Sequence, residues 1–362
     1  MHVIDATNVH TALPEALIYL GRHGVQRDSR NGPVLVAPGP VSTVYRKPMQ
    51  RVLFWPERDA NPFFHLYEAL WMLAGRNDVA GPSAILKSFA QFSDDGETFH
   101  GAYGHRWRGW FPRADEHGHV DNPTPVDQLP TIIAALKANP DDRRCMLQMW
   151  DPVADLGRVG KDVPCNQSAA FMINDGKLDM TVFCRSNDII WGCYGANAVH
   201  FAFLLEYMAL KIGVPPGVYT QVSVNWHAYQ NSLYERVRTI NTSSARWSNP
   251  YVYDNNLEDE GDGKRVHYVP MPENIDELIP KLLKIAEVTD PEALCDLDWD
   301  FSFNPWATMV SECFAAYVMY KHGDDDPEDT QGEFDGSPDN ADWVVACRDW
   351  LWRRRAARAA KA

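Results

Sequence analysis

Hydrophobic and polar positions change period several times along the chain, and each change marks an element. From Phe63 to Leu73 the apolar residues Phe64, Leu66, Leu70 and Leu73 fall at roughly helical spacing, with Glu68 enclosed among them. Residues Val126 to Ala138 predict a second helix, stopped at Asn139-Pro140. Residues 143–150 and 168–184 have strand character. In the latter, Phe171, Ile173, Leu178, Met180, Val182 and Cys184 alternate about Asn174-Asp175-Gly176, which predicts a hairpin. Asn197 to Ile212 predicts a long buried helix ending at Gly213. Residues 219–224 predict a further strand, followed by Asn225-Trp226-His227-Ala228-Tyr229. Residues 1–50 look irregular, apart from a turn at Ser29-Arg30-Asn31-Gly32-Pro33 and a strand-like run from Val34 to Ala37. Loop composition covers 114–127, and residues 252–265 are acidic and loop-like. Residues 272–320 are of mixed helical character, and an acidic stretch opens at Asp324 and runs to about 342. Strands and helices in mixed order, without regular βαβ alternation, predict an α+β fold rather than a doubly wound sheet.

Composition narrows the function. The 362 residues suffice for one large domain or two small ones, and a hydrophobic share of 45% supports a sizeable core. A formal net charge of −15 argues against direct DNA binding, because phosphate backbones need basic surface; a small anion held by a local arginine cluster remains compatible. No run approaches the roughly 18 to 20 apolar residues of a membrane span, and Met1-His2-Val3-Ile4-Asp5 has no secretory pattern. The seven cysteines, Cys145, Cys165, Cys184, Cys193, Cys295, Cys313 and Cys347, are odd in number. Their spacing suits neither a disulfide framework nor a zinc site, so a cytoplasmic location and no metal are expected. The chain carries neither a glycine-rich dinucleotide fingerprint nor a Walker loop.

Against this background one pairing stands out. Cys165, in Val163-Pro164-Cys165-Asn166-Gln167, precedes Arg185-Ser186-Asn187-Asp188 by twenty residues. A thiol becomes a competent nucleophile as thiolate, which a neighbouring cation favours. Arg30, Arg143, Arg144 and Arg185 suit a phosphate monoester, since guanidinium forks match phosphate oxygens. Neighbouring side chains on a strand point to opposite faces, so one of Arg143 and Arg144 is expected to reach a partner subunit. Glu68 within an apolar helix needs a partner or a function. His227 and Tyr229, two apart, share a face and suit a sugar hydroxyl. Taken singly, each residue has an ordinary reading as well: a buried thiol, a surface ion pair, a carboxylate on a helix edge, a sheet cap.

Together the segments resemble the thymidylate synthase family, in that family's order. They are Tyr67-Glu68-Ala69-Leu70-Trp71-Met72-Leu73-Ala74-Gly75, Ala102-Tyr103-Gly104-His105-Arg106-Trp107-Arg108, Asp142-Arg143-Arg144, Pro164-Cys165, Arg185-Ser186-Asn187-Asp188 with Gly192, and His227-Ala228-Tyr229, within about residues 25–235. The resemblance implies a mixed sheet packed with helices and a sheet-mediated homodimer. Residues 1–250 would form the catalytic domain, with a divergent helical segment, 251–362, packed on it. It also implies Cys165, Glu68 and Tyr103 as catalytic residues, with Cys165 attacking C6 of a pyrimidine nucleotide. Arg30, Arg185, Ser186 and, across the dimer, Arg143 and Arg144 would hold the phosphate. Asn197, His227 and Tyr229 would hold base and ribose, and Asp188 would contact the pterin of 5,10-methylenetetrahydrofolate.

Departures from the family pattern bear on the product. Gly192-Cys193-Tyr194-Gly195-Ala196-Asn197 is one residue longer than the family loop. Counting from Arg185 puts Ala196 at the base-reading position; counting from His227 puts Asn197 there, and the helix register favours Asn197. In place of the family's apolar closing tail the chain ends Arg353-Arg354-Arg355-Ala356-Ala357-Arg358-Ala359-Ala360-Lys361-Ala362. The loop, with an Arg-to-Cys segment two residues longer than in typical thymidylate synthases, resembles the cytidylate hydroxymethylase branch, and a tail without apolar cover would let water reach the methylene intermediate. The expectation is therefore folate-dependent C5 hydroxymethylation of a pyrimidine deoxynucleoside monophosphate, dCMP slightly ahead of dUMP. The alternatives are thymidylate synthesis from dUMP and, third, a non-catalytic nucleotide- or RNA-binding regulator.

Overall fold

The computed structural model describes residues 1–29, 31–113, 124–240, 249–251, 265–297, 301, 303–323 and 334–360. Its strands are β1 (His2–Ala6), β2 (Val25–Arg27), β3 (Val34–Val36), β4 (Val41–Tyr45), β5 (Met146–Gln148), β6 (Asn166–Asn174), β7 (Lys177–Asp188) and β8 (Pro216–Tyr229). They form one sheet in the order β1-β4-β8-β7-β6-β5, with β3 also paired to β8 and β2 to β3. The β1–β4 and β7–β8 pairs are parallel and the others antiparallel. The helices are α1 (Val9–His23), α2 (Pro62–Leu73), α3 (Ala80–Ile85), α4 (Tyr103–Arg108), α5 (Gln128–Ala138), α6 (Pro152–Asp155), α7 (Asn197–Ile212), α8 (Ser232–Val237), α9 (Ile275–Ala286), α10 (Pro305–Lys321) and α11 (Asp342–Ala359). The mixed sheet with packed helices is the α+β arrangement expected.

Local chemistry sets the element ends. Asn61 caps α2 by accepting from Phe64 N–H at 3.1 Å, and Pro62 starts the helix where a missing N–H costs nothing. Helix α7 runs over the predicted residues and stops at Gly213, whose φ of 93° suits glycine. The β6–β7 hairpin closes through Asp175 (φ 49°) and Gly176 (φ 71°), the paired left-handed conformations of the tight hairpin turn. Asp127 caps α5, which therefore begins at Gln128 rather than Val126.

Four expectations need correction. Residues 1–50 are not irregular: they hold β1 to β4 and the fifteen-residue α1. Pro14 lies inside α1 and removes the N–H that would bond the His10 carbonyl, but Trp55 Nε1 donates to that carbonyl at 2.9 Å and makes good the loss. The strand expected over 143–150 is only β5. Asp142 accepts from the backbone N–H and guanidinium of Arg144, folding Arg143 and Arg144 into an exposed turn, so alternation along a strand does not govern them. Strand β8 is longer than 219–224 and takes in His227 and Tyr229, because after pairing with β4 it pairs with β3. The arginine-rich tail is the last turns of α11, with Arg353 and Arg354 both on the Asp59 carboxylate (2.7 and 2.5 Å) and Arg355 fully buried. Residues 252–264 and 324–333, within the expected acidic loops, lie outside the described residues, as do 114–123 of the expected 114–127 loop.

The core lies between the helices and one face of the sheet. Met180, Val182, Cys184, Tyr219 and Gln221 of β7 and β8 point into it, and α7 crosses it, buried on nearly every side. Helices α9, α10 and α11 all pack against α2, fixing the helix that carries Glu68. Among the described residues, no helix is long and apolar enough to cross a membrane, and no group of three His, Cys, Asp or Glu side chains could hold a metal ion.

Candidate active site

A cleft of about 240 Å³ opens between α2, α4 and the start of α7. Its polar lining is Glu68, Tyr103, Lys161, Asp162, Asn197 and His200; Trp71, Phe89, Phe92 and Phe99 form an aromatic wall. That wall has the flat apolar surface a pterin or aminobenzoyl ring needs for stacking.

The segment carrying Cys165 is held to this cleft from several sides. Tyr103, at the start of α4, accepts at its hydroxyl from the backbone N–H of Cys165 (3.0 Å) and of Asn166 (3.1 Å). Burial, reinforced by the neighbouring Cys165 and Cys184, holds the Tyr103 phenol well above its ordinary range, so it stays neutral. Arg185, opposite on β7, donates through its guanidinium to the carbonyls of Pro164 (2.8 Å) and Val163 (3.1 Å), placing positive charge in the loop that presents the thiol. Asp162 accepts from Gly101 N–H at 2.7 Å, and burial raises its carboxyl. Behind α4, Arg106 and Asp155, both fully buried, form a two-point ion pair at 2.7 and 2.9 Å. Cys165 itself is half-buried, unlike Cys145, Cys184, Cys193, Cys313 and Cys347, which are buried.

Asn197 belongs to a chain of side-chain hydrogen bonds. Tyr219 donates to Gln221, Gln221 to Asn166 at 3.4 Å, Asn166 to Asn197 at 3.2 Å, Asn197 to Asn187 at 3.1 Å, and Asn187 to Ser223 at 3.0 Å. Neighbours on both sides thus lock the Asn197 amide. Gly192 makes room for them: a Cβ there would lie 2.6 Å from Asn187 Oδ1. The backbone from Ile189 to Ala196 is helical but kinked at Tyr194 and Gly195, and it delivers both Ala196 and Asn197 to the cleft wall. Arg58 braces this segment by donating to the Ile190 carbonyl at 2.8 Å, and burial pushes its guanidinium down to about 10.

Parallel pairing brings the ends of β7 and β8 together, with Ser186 beside Asn225 and Asp188 beside His227. His227 Nδ1 lies 2.9 Å from Asn225 Oδ1, a contact that orients the imidazole at the strand end. Tyr229 accepts from Asn31 at 3.4 Å, which ties Asn31 to β8. Arg30, the expected phosphate ligand, lies outside the described residues. Asp188 caps the kinked segment by accepting at Oδ1 from Ile190 N–H and Trp191 N–H, both at 2.7 Å, and its Oδ2 accepts from Tyr229 N–H at 3.4 Å.

Of the residues singled out from the sequence, Glu68, Tyr103 and Asn197 share the cleft, and Cys165 and Arg185 are joined to it through the Val163–Asn166 loop. Ser186, Asp188, His227 and Tyr229 form a neighbouring group at the strand ends. Arg143 and Arg144 stand apart in their exposed turn. The sequence reading missed His200, whose Nε2 lies 3.2 Å from Glu68 Oε2, and the amides Asn166 and Asn187. The available signal for His200 was its place one helical turn beyond Asn197.

This assembly of a positioned thiol, a carboxylate, a locked amide and an aromatic wall defines a class, and comparison with known proteins agrees. Residues 58–252 match the family model for thymidylate synthase, and the chain belongs to that family as a one-carbon transferase. It is 47% identical over 364 aligned residues, 99% of this chain and 95% of the other, to a deoxyuridylate hydroxymethyltransferase of Pseudomonas phage M6. A protein of the same name from Bacillus phage SP01 is 41% identical over 191 residues, 52% of this chain and 49% of that one. A putative thymidylate synthase of Methanosarcina barkeri is 36% identical over 158 residues, 43% of this chain and 66% of that one.

Proposed function

We propose that the chain is a deoxyuridylate 5-hydroxymethyltransferase that uses 5,10-methylenetetrahydrofolate as one-carbon donor and acts as a homodimer. In this reading Cys165 adds to C6 of the pyrimidine, making C5 enolate-like and able to attack the one-carbon unit. Tyr103 fixes the backbone of the nucleophile, and Glu68 manages proton transfer and water at the base. Arg185 and Ser186, with Arg30 and with Arg143 and Arg144 of the partner subunit, hold the phosphate. His227 and Tyr229 take the ribose 3′-hydroxyl, Asp188 the pterin and Asn197 the base.

The observation that carries the choice of base is Asn197: a neutral amide, locked by Asn166 and Asn187, stands at the cleft where a cytosine-reading member of the family would carry an acid. A locked amide offers uracil one donor for O4 and one acceptor for N3–H. With the names of the two phage relatives, this moves the preference from dCMP, which the sequence slightly favoured, to dUMP. The hydroxymethyl outcome draws support from the same relatives and from α11. The Arg353-Arg354-Arg355 segment is engaged on Asp59 and in the core as part of a docked helix, so it supplies no apolar cover for the cleft.

The dimer reading rests on the outer face of the sheet. Met146, Met172, Phe183 and Val224 are exposed there, beside half-buried Ala170, Thr181, Thr220 and Val222, forming an apolar face that needs a cover. The turn of Arg143 and Arg144 leads directly into β5 at the edge of that face, with the Arg144 side chain 89% exposed. Helices α9, α10 and α11 belong to the same folded unit in this reading, since all three lie on α2. The deciding experiment offers dUMP, dCMP, UMP and CMP in competition, with methylenetetrahydrofolate, to the wild type and to Asn197→Asp. The wild type is expected to select dUMP, and the variant to lose dUMP far more than dCMP. Wild-type preference for dCMP would overturn the assignment of the base.

A further inference from the structure

Helices α2 and α7 pack directly on one another and bring Glu68 and His200 face to face at the cleft. His200 is only 4% exposed, yet it lines the cleft with Glu68, Tyr103 and Asn197. Its Nε2 is 3.2 Å from Glu68 Oε2 but is not aligned for a hydrogen bond, and no other polar atom of the described residues satisfies it. A buried ring nitrogen left in this state beside a carboxylate is costly unless a third group completes the arrangement. The other nearby ring, His65, is T-shaped to His200 with centroids 6.3 Å apart; burial, with Arg58 and His200 nearby, holds its pKa far below the ordinary value, so it adds no charge.

We propose that His200 is the general base for the water that gives the hydroxymethyl product, with Glu68 as its counter-ion. The inference rests on the hydroxymethylation reading. Once tetrahydrofolate has left, C5 of the nucleotide carries an exocyclic methylene while Cys165 is still bonded to C6. A water held by His200 Nε2 adds to the methylene carbon: the C–O bond forms, the water proton passes to Nε2, and the exocyclic double-bond electrons move into C5 and the C4 carbonyl as an enolate. The enolate then expels the Cys165 thiolate from C6, re-forming the C5–C6 double bond. Glu68, 3.2 Å away, stabilises the imidazolium until its proton leaves to solvent. The place of His200 one turn beyond Asn197 puts the base on the same helix face as the group that reads the pyrimidine.

The test uses dUMP tritiated at C5, methylenetetrahydrofolate and an added small thiol, with wild type, His200→Ala and His200→Gln. Tritium release reports every step up to loss of the C5 proton; the 5-hydroxymethyl product reports water addition; a nucleotide thioether reports methylene that water failed to capture. In the variants, tritium release is expected within about threefold of wild type, while hydroxymethyl product falls about 100-fold, the usual scale for a general base, and the deficit appears as thioether. His200→Gln serves where the smaller side chain compromises folding, as judged by nucleotide binding and thermal unfolding. Parallel loss of tritium release and product in a folded variant would make His200 a structural residue and overturn the proposal, as would unchanged product. Methylated nucleotide with dihydrofolate from the wild type would instead remove the hydroxymethylation reading itself, and the water base with it.

Discussion

Replacing Tyr103 by Phe removes one oxygen and leaves the ring. In the native structure that oxygen accepts two backbone N–H groups, those of Cys165 and Asn166, at 3.0 and 3.1 Å. Without it, two donors in a closely packed loop lose their acceptor, at about 1–3 kcal/mol for each donor left unsatisfied. Taking the lower part of that range, because Cys165 is only half-buried, the pair is worth about 2–3 kcal/mol. If the loss falls on the geometry that aims the thiol at C6, kcat/KM for the nucleotide drops about 30- to 150-fold. The fold should tolerate the change, since the ring keeps its contact with Phe201. The phenol is neutral in the working range, so the variant's pH profile should run parallel to that of the wild type. The assay is steady-state turnover at saturating one-carbon donor, with the rate of covalent nucleotide–Cys165 adduct formation measured alongside. Activity within about threefold of wild type would refute the argument that this hydroxyl positions the nucleophile.

Cys165→Ser should lose nearly all turnover while still binding dUMP; turnover near wild type would remove Cys165 from the mechanism. Mixing Cys165→Ser chains with Arg144→Ala chains should restore up to about a quarter of wild-type activity, because half the dimers would be hybrids with one intact site; an active monomer on sedimentation would contradict the shared site. Asp342, fully buried at the start of α11, has its carboxyl pushed up to about 7 by burial, against the opposing effects of Arg51 and of the Tyr251 hydroxyl, which donates to it at 2.8 Å. The folded state therefore holds this proton more tightly than the unfolded chain. Its stabilising contribution is fully present below about pH 4, on the order of 4 kcal/mol, and is lost as pH rises to about 7. Thermal unfolding from pH 4 to 8 should show that fall in the wild type and a flatter profile in Asp342→Asn; matching slopes would discount the buried carboxyl.

Elements built from strong periodicity were legible in the sequence. Helix α2 with Glu68, helix α7 and the β6–β7 hairpin follow from apolar spacing, Asn61, Gly213 and Asp175-Gly176, all local signals. Helix α1 was not, because Pro14 disrupts the pattern and its repair comes from Trp55, forty-one residues on. The strand expected at Arg143 and Arg144 became a turn through one carboxylate, Asp142. For the candidate site, the motifs identified Cys165, Glu68, Arg185 and His227 as a set, but not how they are held. The two counts that disagreed between Ala196 and Asn197 could not be decided from spacing; the backbone, kinked at Tyr194 and Gly195, brings both residues to the cleft. His200 was hidden for a related reason: a lone histidine on an apolar helix acquires meaning only when α2 brings Glu68 against it.

The product separates the two possible fates of the bound nucleotide. Water must reach and add to a C5 methylene that, in a methylating enzyme, is reduced by hydride from the folate. The most direct measurement is a single reaction of the wild-type protein with dUMP and methylenetetrahydrofolate. The nucleotide is weighed by mass spectrometry, and dihydrofolate is followed by its ultraviolet absorbance in the same sample. Water addition at the Cys165-bound nucleotide should give 5-hydroxymethyl-dUMP with no stoichiometric dihydrofolate; thymidylate formed one-for-one with dihydrofolate would rule hydroxymethylation out.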